Sequence, residues 1–169
     1  MHDEYAGARR LMQAILDNAP DAAEDAIAAG ANVNAPDEDG EQPLCIAAYE
    51  GNDEVVRVLL EHGADPSIRN EFDEPVLVTA SMEGHLAVVR QLVEHGADIG
   101  QTDFDGHTAI QIAEFYGHMD ICDYLREQEA LTATSTPDDT PPRPGRSRRI
   151  GARLIGLFPH RNRHAVSPS

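Results

Sequence analysis

The apolar positions of this chain recur with helical spacing, and the whole pattern repeats every 33 residues. The eleven residues 55–65 recur as residues 88–98 with nine identities. In the first copy the apolar stripe consists of Val55, Val56, Leu59 and Leu60. This is the spacing of one face of an amphipathic helix. The pattern therefore predicts a helical protein built from internal repeats.

The second 33-residue unit predicts two helices. Pro43 suits the first turn of a helix, and we expect this helix to end near Glu50 because Gly51 accepts the left-handed conformation cheaply. Asp53 can begin a second helix, which runs to about His62. A single pair of this kind cannot bury its own apolar face, so neighbouring pairs must stack.

The register extends beyond this unit in both directions. It is kept by glycines at 51, 84 and 117, by large aliphatic residues at 11, 44, 77 and 110, and by alanines at 14, 47, 80 and 113. Residues 5–130 resemble the ankyrin repeat family in their 33-residue period, their glycine positions and their helix pattern. The resemblance implies an all-α ankyrin-repeat solenoid, in which helix-turn-helix units with β-turn fingers stack. The four units would span about residues 5–36, 37–69, 70–102 and 103–130.

The chain departs from the family at the start of the first helix of each unit. The family opens this helix with Thr-Pro-Leu-His, whereas residues 42–45, 75–78 and 108–111 carry no His. We therefore expect fewer hydrogen bonds between neighbouring repeats and a modest stability. At the C-terminal end Glu114 and Arg126 replace the small or apolar residues of inner repeats, which predicts a solvated cap.

The charge of the chain divides it into an acidic body and a basic tail. The 169 residues hold 30 acids and 13 bases, all of them Arg, with a net charge of −17. Residues 1–130 carry 28 acids and 6 Arg, whereas residues 131–169 carry 2 acids and 7 Arg. An acidic body repels phosphate, so we expect no nucleic-acid binding by the repeat domain. The absence of Lys excludes Lys-based catalysis.

The tail contains two predicted segments. Residues 131–147 form a Pro/Thr/Arg-rich linker that we expect to be disordered. Residues 148–169 are basic, and the segment 150–158 can form a short amphipathic helix, which we expect to be disordered in isolation. No run of 18 apolar residues and no secretory signal is present in this sequence. Two cysteines 77 positions apart fit a reducing compartment, and we expect a cytoplasmic protein.

The sequence contains no constellation that predicts catalysis, a metal or a cofactor. Four histidines lie beside glycines at equivalent repeat positions (His62, His85, His95 and His118), and we interpret them as structural. The tail pair His160 and His164 is a weak metal signal without further ligands. Cys45 and Cys122 fall at helix positions that small apolar residues fill. No zinc-protease or serine-hydrolase motif occurs, so we predict a protein that is not an enzyme.

The resemblance implies that partners bind to the finger tips and to the exposed edge of each first helix, along a concave surface. Carried onto this sequence, that surface has fifteen positions, which we call the acidic–aromatic strip: Glu38, Asp39, Glu41, Tyr49, Glu50, Glu71, Phe72, Glu74, Met82, Glu83, Phe104, Asp105, His107, Phe115 and Tyr116. Five of the eight aromatic residues of the chain fall in it. Stacking requires none of them, although Phe72, Phe115 and Tyr116 could also pack on neighbouring turns or helices.

These features predict a monomeric interaction module, an adaptor or scaffold. Its acidic–aromatic strip would bind a basic and apolar segment of another protein. One alternative is an inhibitor or immunity-type protein that blocks a basic partner such as a nuclease. A further alternative is a membrane-surface regulator that uses the basic tail on anionic lipid. An enzyme is the least favoured reading. The tail is itself basic and apolar, so occupation of the strip by this segment is an additional hypothesis.

Overall fold

The computed structural model describes residues 6–37 and 39–133. Among these residues there are eight helices and no strand: α1 (Ala6–Leu16), α2 (Pro20–Ala28), α3 (Pro43–Glu50), α4 (Asp53–Glu61), α5 (Val76–Glu83), α6 (Leu86–Glu94), α7 (Ala109–Tyr116) and α8 (Met119–Ala133). None of them is long and apolar enough to cross a membrane. Glu38, the linker from residue 134 onwards and the basic tail lie outside the described residues.

The helices pack in two layers, with one helix of each repeat in each layer. The first layer consists of α1, α3, α5 and α7, and the second of α2, α4, α6 and α8. In the first layer α5 contacts α3, α7 and its own partner α6, and every residue from Val76 to Met82 is buried. In the second layer α6 has a polar face, which includes the exposed Arg90 and Glu94. In the third repeat the first-layer helix is therefore short and apolar, whereas the second-layer helix is amphipathic.

The predicted helix boundaries of the second repeat are confirmed. Pro43 begins α3, and Gly51 ends it in the left-handed conformation with φ 73°. Asp53 begins α4, which ends at Glu61. At the C-terminal end α8 extends to Ala133, beyond the end expected for the fourth repeat at residue 130, so residues 131–133 are helical and are not part of a linker.

The core repeats with the same period as the sequence. Ala47, Ala80 and Ala113 are fully buried, because the first-layer helix of each repeat approaches its neighbours closely there. Leu59 and Leu92 are likewise fully buried in successive second-layer helices. Each repeat thus buries its apolar face against the next one, as a solenoid requires.

Hydrogen bonds tie neighbouring repeats together despite the missing family His. His85 Nε2 donates to the Tyr49 carbonyl at 3.0 Å, and His118 Nε2 donates to the Met82 carbonyl at 3.1 Å. In the corresponding place of the second repeat, Asn52 Nδ2 donates to the Ile15 carbonyl at 2.7 Å. The structural interpretation of these two histidines is confirmed. Residues at the start of the second helix therefore supply bonds between repeats in a chain that lacks the family His.

The C-terminal repeat ends in exposed polar side chains. Arg126 Nη2 lies 3.4 Å from Glu114 Oε1, and both side chains are more than half exposed. The helix α7 is also capped differently from α3 and α5. Thr108 accepts from the Gln111 backbone N–H at 3.5 Å, while Gln111 Oε1 accepts from the Thr108 N–H at 2.9 Å. At the place of the family His this chain therefore has the second half of a capping box.

Candidate partner-binding surface

Three finger turns precede α3, α5 and α7, and one side chain organises each of them. These residues are Asp37, Asn70 and Asp103, spaced 33 residues apart. The side-chain Oδ1 of each accepts hydrogen bonds of 2.8 to 3.0 Å from the backbone N–H groups two and four residues later. This double acceptance fixes the turn, in the way that Asp and Asn commonly stabilise turns. We call the turns the second, third and fourth fingers, after their repeats.

Each finger has a residue with positive φ at the same repeat position. It is Gly40 in the second finger and Gly106 in the fourth, both at φ 85°, but Asp73 in the third, at φ 59°. Only glycine adopts this conformation without cost, although Asp tolerates it better than most residues. Around the third and fourth fingers the chain closes through isolated bridges between Arg69 and Pro75 and between Thr102 and Thr108. Side-chain hydrogen bonds and these bridges together define the conformation of the third and fourth fingers.

The structure places the strip residues at different depths. The exposed ones are Asp39, Glu50, Glu71, Phe72, Glu83, Phe104, Asp105, Phe115 and Tyr116, and the half-buried ones are Glu41, Tyr49 and His107. Glu38 lies outside the described residues. The other two members, Glu74 and Met82, are buried.

The aromatic side chains of the third and fourth repeats are open to solvent. Phe104 is 84% exposed at the tip of the fourth finger, Phe115 52%, Phe72 42% and Tyr116 40%. Phe115 and Tyr116 contact each other edge to face, with ring centroids 5.2 Å apart. Exposed large apolar residues in one region of a surface are typical of binding sites.

Glu74 and Met82 are strip residues with little solvent exposure. Met82 lies in the last turn of α5, between α3 and α7, and its carbonyl accepts from His118. Glu74 folds back onto its own finger, where its Oε2 accepts from Asn70 Nδ2 at 3.1 Å and from Thr79 Oγ1 at 3.2 Å. Burial raises the pKa of Glu74, and these two hydrogen bonds only partly oppose that effect.

Acidic and aromatic groups are interleaved along the first-layer helices. Burial raises the pKa of Tyr49 on α3, and the charge of Glu83 raises it further. Burial likewise raises the pKa of Tyr116 on α7, again with a contribution from Glu83. Glu83, on the intervening α5, is therefore close enough to act electrostatically on both rings. The surface therefore carries carboxylates and aromatic rings together.

The other candidate reactive groups among the described residues are Cys45, Cys122 and His107. Burial raises the pKa of the Cys45 thiol to about 12 and also raises that of Cys122, so neither is a ready nucleophile. His107 Nδ1 lies 3.4 Å from Asp103 Oδ2 within the fourth finger. The described residues contain no group of three side chains that could hold a metal ion. His160 and His164 lie outside them.

Comparison with protein families agrees with this architecture. The model for ankyrin repeats in three copies matches residues 11–103 and, in a second match, residues 62–136. The chain belongs to the ankyrin repeat family. No curated protein matches the sequence. Ankyrin repeats generally serve as protein–protein interaction modules, and the family is typically non-enzymatic.

Sequence reasoning missed the residues that build the ankyrin fingers. Asp37, Asn70 and Asp103 could have been found from their 33-residue spacing and from the preference of Asp and Asn for turns. No pattern in the sequence indicated Thr79. Its hydrogen bond to Glu74 depends on how the third finger packs against α5.

Proposed function

We propose that this ankyrin repeat protein is a non-enzymatic adaptor that binds a partner protein through the acidic–aromatic strip. The observation that carries the proposal is the exposure of Phe72, Phe104, Phe115 and Tyr116 on the fingers and on α7. The exposed part of each of these rings costs solvation free energy. A partner that covers them recovers it.

The chemistry of the strip favours a partner segment with basic and apolar residues in series. Exposed carboxylates flank the aromatic rings, including Glu71, Glu83 and Asp105. Such charges speed the encounter with a basic partner and set its orientation, whereas buried aromatic contacts supply most of the affinity. Charge and apolar contact therefore have separate roles on one surface.

The test is a paired capture from the source cell with the full-length chain as bait. In the strip variant Phe72, Phe104, Phe115 and Tyr116 are all changed to Ala. The matched control changes Met119 and Leu131, two exposed apolar residues of α8 outside the strip, to Ala.

We expect the native bait and the control to retain the same partner and the strip variant to lose it. A partner retained equally by all three baits would contradict the proposal. Thermal unfolding of the variants checks that they are folded.

A second candidate, an inhibitor of a basic protein, is favoured by the number of exposed carboxylates along the strip. An inhibitor of this kind would rely on charge, so its Kd would rise steeply with salt concentration. An adaptor held by aromatic contacts would be less sensitive to salt. The Kd of the captured partner at low and high salt, together with an activity assay of that partner, separates the two functions.

A further inference from the structure

Glu74 is a buried carboxylate at the base of the third finger, and its position is fixed by hydrogen bonds. It is only 9% exposed. Asn70 Nδ2 and Thr79 Oγ1 both donate to its Oε2, and its backbone N–H donates to Asn70 Oδ1 at 3.0 Å. Thr79 is itself buried in α5. The carboxylate is therefore held in one orientation before any partner arrives.

This carboxylate has no counter-charge in the part of the chain that the structure describes. Both side-chain hydrogen bonds that Glu74 accepts there go to Oε2, and no cation is among the groups that act on its pKa. The corresponding residue of the fourth finger is His107, which lies beside Asp103. Burial raises the pKa of Glu74, and the charges of Asp103 and Glu83 raise it further. A buried acid among like charges is costly, and a cation would relieve that cost.

Aromatic rings lie near the same carboxylate. Phe72 is two residues earlier on the same finger and is exposed. Tyr116 on α7 is close enough for the charge of Glu74 to contribute to its raised pKa, after burial and the charge of Glu83. A cation that reaches Glu74 therefore enters a surface that also carries exposed aromatic side chains.

We propose that Glu74 receives the guanidinium group of an arginine in the partner's basic and apolar segment. The proposal rests on the proposed function, since it specifies which side chain the strip selects. A guanidinium is planar and weakly hydrated, so it loses little hydration on entering a buried site and it can stack on an aromatic face. An ammonium group is a compact and strongly hydrated charge, and it is the poorer ligand. Glu74 would thus select Arg over Lys.

The experiment measures how strongly the full-length protein prefers Arg over Lys. The probe is a synthetic peptide with the sequence of residues 146–158, in which arginines and apolar residues alternate in short runs. A second peptide carries Lys in place of every Arg. The readout is the ratio of the two Kd values, because any competitor for the strip affects both peptides alike.

We expect the Arg peptide to bind about tenfold more tightly than the Lys peptide. Glu74→Gln, which keeps an acceptor for Asn70 and Thr79 but removes the charge, should bring the ratio close to one. The matched control is Glu129→Gln, which neutralises an exposed carboxylate of α8 outside the strip and should leave the ratio unchanged.

Three results would overturn the proposal: equal affinity for both peptides, a ratio that Glu74→Gln does not change, or no binding of either peptide. Phe104→Ala separates this proposal from the proposed function, because it should weaken both peptides by the same factor without changing the ratio. If Phe104→Ala has no effect while the ratio still depends on Glu74, the aromatic strip is wrong and the arginine site remains.

Discussion

The second-layer surface and the acidic–aromatic strip are built from the same repeat. They differ in whether arginines pair with the acidic side chains. On the second layer Arg57 pairs with Glu54 at 2.9 Å and with Glu61 at 3.0 Å within α4. Arg90 lies 4.4 Å over the ring of Tyr124 on α8. The strip contains no Arg among its fifteen positions, and it combines carboxylates with exposed aromatic rings. The third finger itself carries Arg69, which pairs with Asp73.

The difference follows from what stacking demands. The repeat fixes the buried positions, such as Ala80 and Leu92, and leaves the surface residues free to vary. Where an acidic surface binds no ligand, arginines of the same helix can pair with its carboxylates. Where a surface receives a basic partner, such arginines would compete with that partner. We therefore interpret the second layer as a solvated face and the strip as the interface.

The largest effect is expected on stability, when a glycine that ends a first-layer helix is compared with one that follows a second-layer helix. Gly84 ends the first-layer helix α5 at φ 81°, and a Cβ there would lie 2.5 Å from the His118 ring. Gly96 follows the second-layer helix α6 at φ 93°, with nothing within 4 Å. We expect Gly84→Ala to lower the free energy of unfolding by about 2–3 kcal/mol and Gly96→Ala by about 1 kcal/mol. Urea unfolding measures both, and equal losses would contradict the role given to the histidine contact.

Neutralising Glu74 is expected to stabilise the fold while it weakens arginine binding. The pKa of Glu74 is raised on folding, so its contribution to stability is most favourable at low pH and is lost as the pH rises through the folded-state pKa. At pH 7 we expect Glu74→Gln to have a higher Tm than the native chain. Below the ordinary Glu pKa of about 4.3 both side chains are neutral, and the difference should vanish. A lower Tm of Glu74→Gln at pH 7 would contradict the claim that the buried charge of Glu74 destabilises the fold.

A smaller gain is expected at the tip of the third finger. Asp73 has positive φ where the second and fourth fingers have Gly. Its side chain is 72% exposed and lies 3.5 Å from Arg69, so this ion pair contributes little. We expect Asp73→Gly to raise the free energy of unfolding by about 0.5 kcal/mol. The control Gly106→Asp, at the equivalent place in the fourth finger, should lower it, and chemical denaturation of both variants tests the pair.

The smallest effect is expected on the second layer. Arg57 and its two acidic partners are exposed, so solvent and salt screen their attraction. We expect Arg57→Ala to change the Tm slightly at low salt and not at all at high salt, with no change in partner affinity. A loss of binding comparable to that of the strip variant would mean that the second layer is also an interface.

Much of the fold could be predicted from the sequence because a repeat presents each signal several times. The bounds of α3 and the start of α4 followed from Pro43, Gly51 and Asp53. The exposure of Phe72 and Phe104 followed from their register on the fingers. In each case a local rule and the 33-residue period point to the same position.

The depth of individual strip residues could not be predicted in this way. Glu74 occupies the same register as Glu41 and His107, yet only Glu74 is buried. Its burial depends on Asn70 and Thr79, which hold the side chain against its own finger. Contacts specific to one repeat leave no periodic signal. The same holds for Asn52, which binds the Ile15 carbonyl where later repeats use His.

The most direct test of the central claim is hydrogen exchange of the full-length protein with and without its captured partner. We expect slower exchange in the third and fourth fingers, at residues 69–76 and 102–109, and at the end of α7. Exchange in α4 and α6 should be unchanged, because those helices face away from the strip. Protection confined to α4 and α6, or absent from both fingers, would contradict the assignment of the strip as the interface.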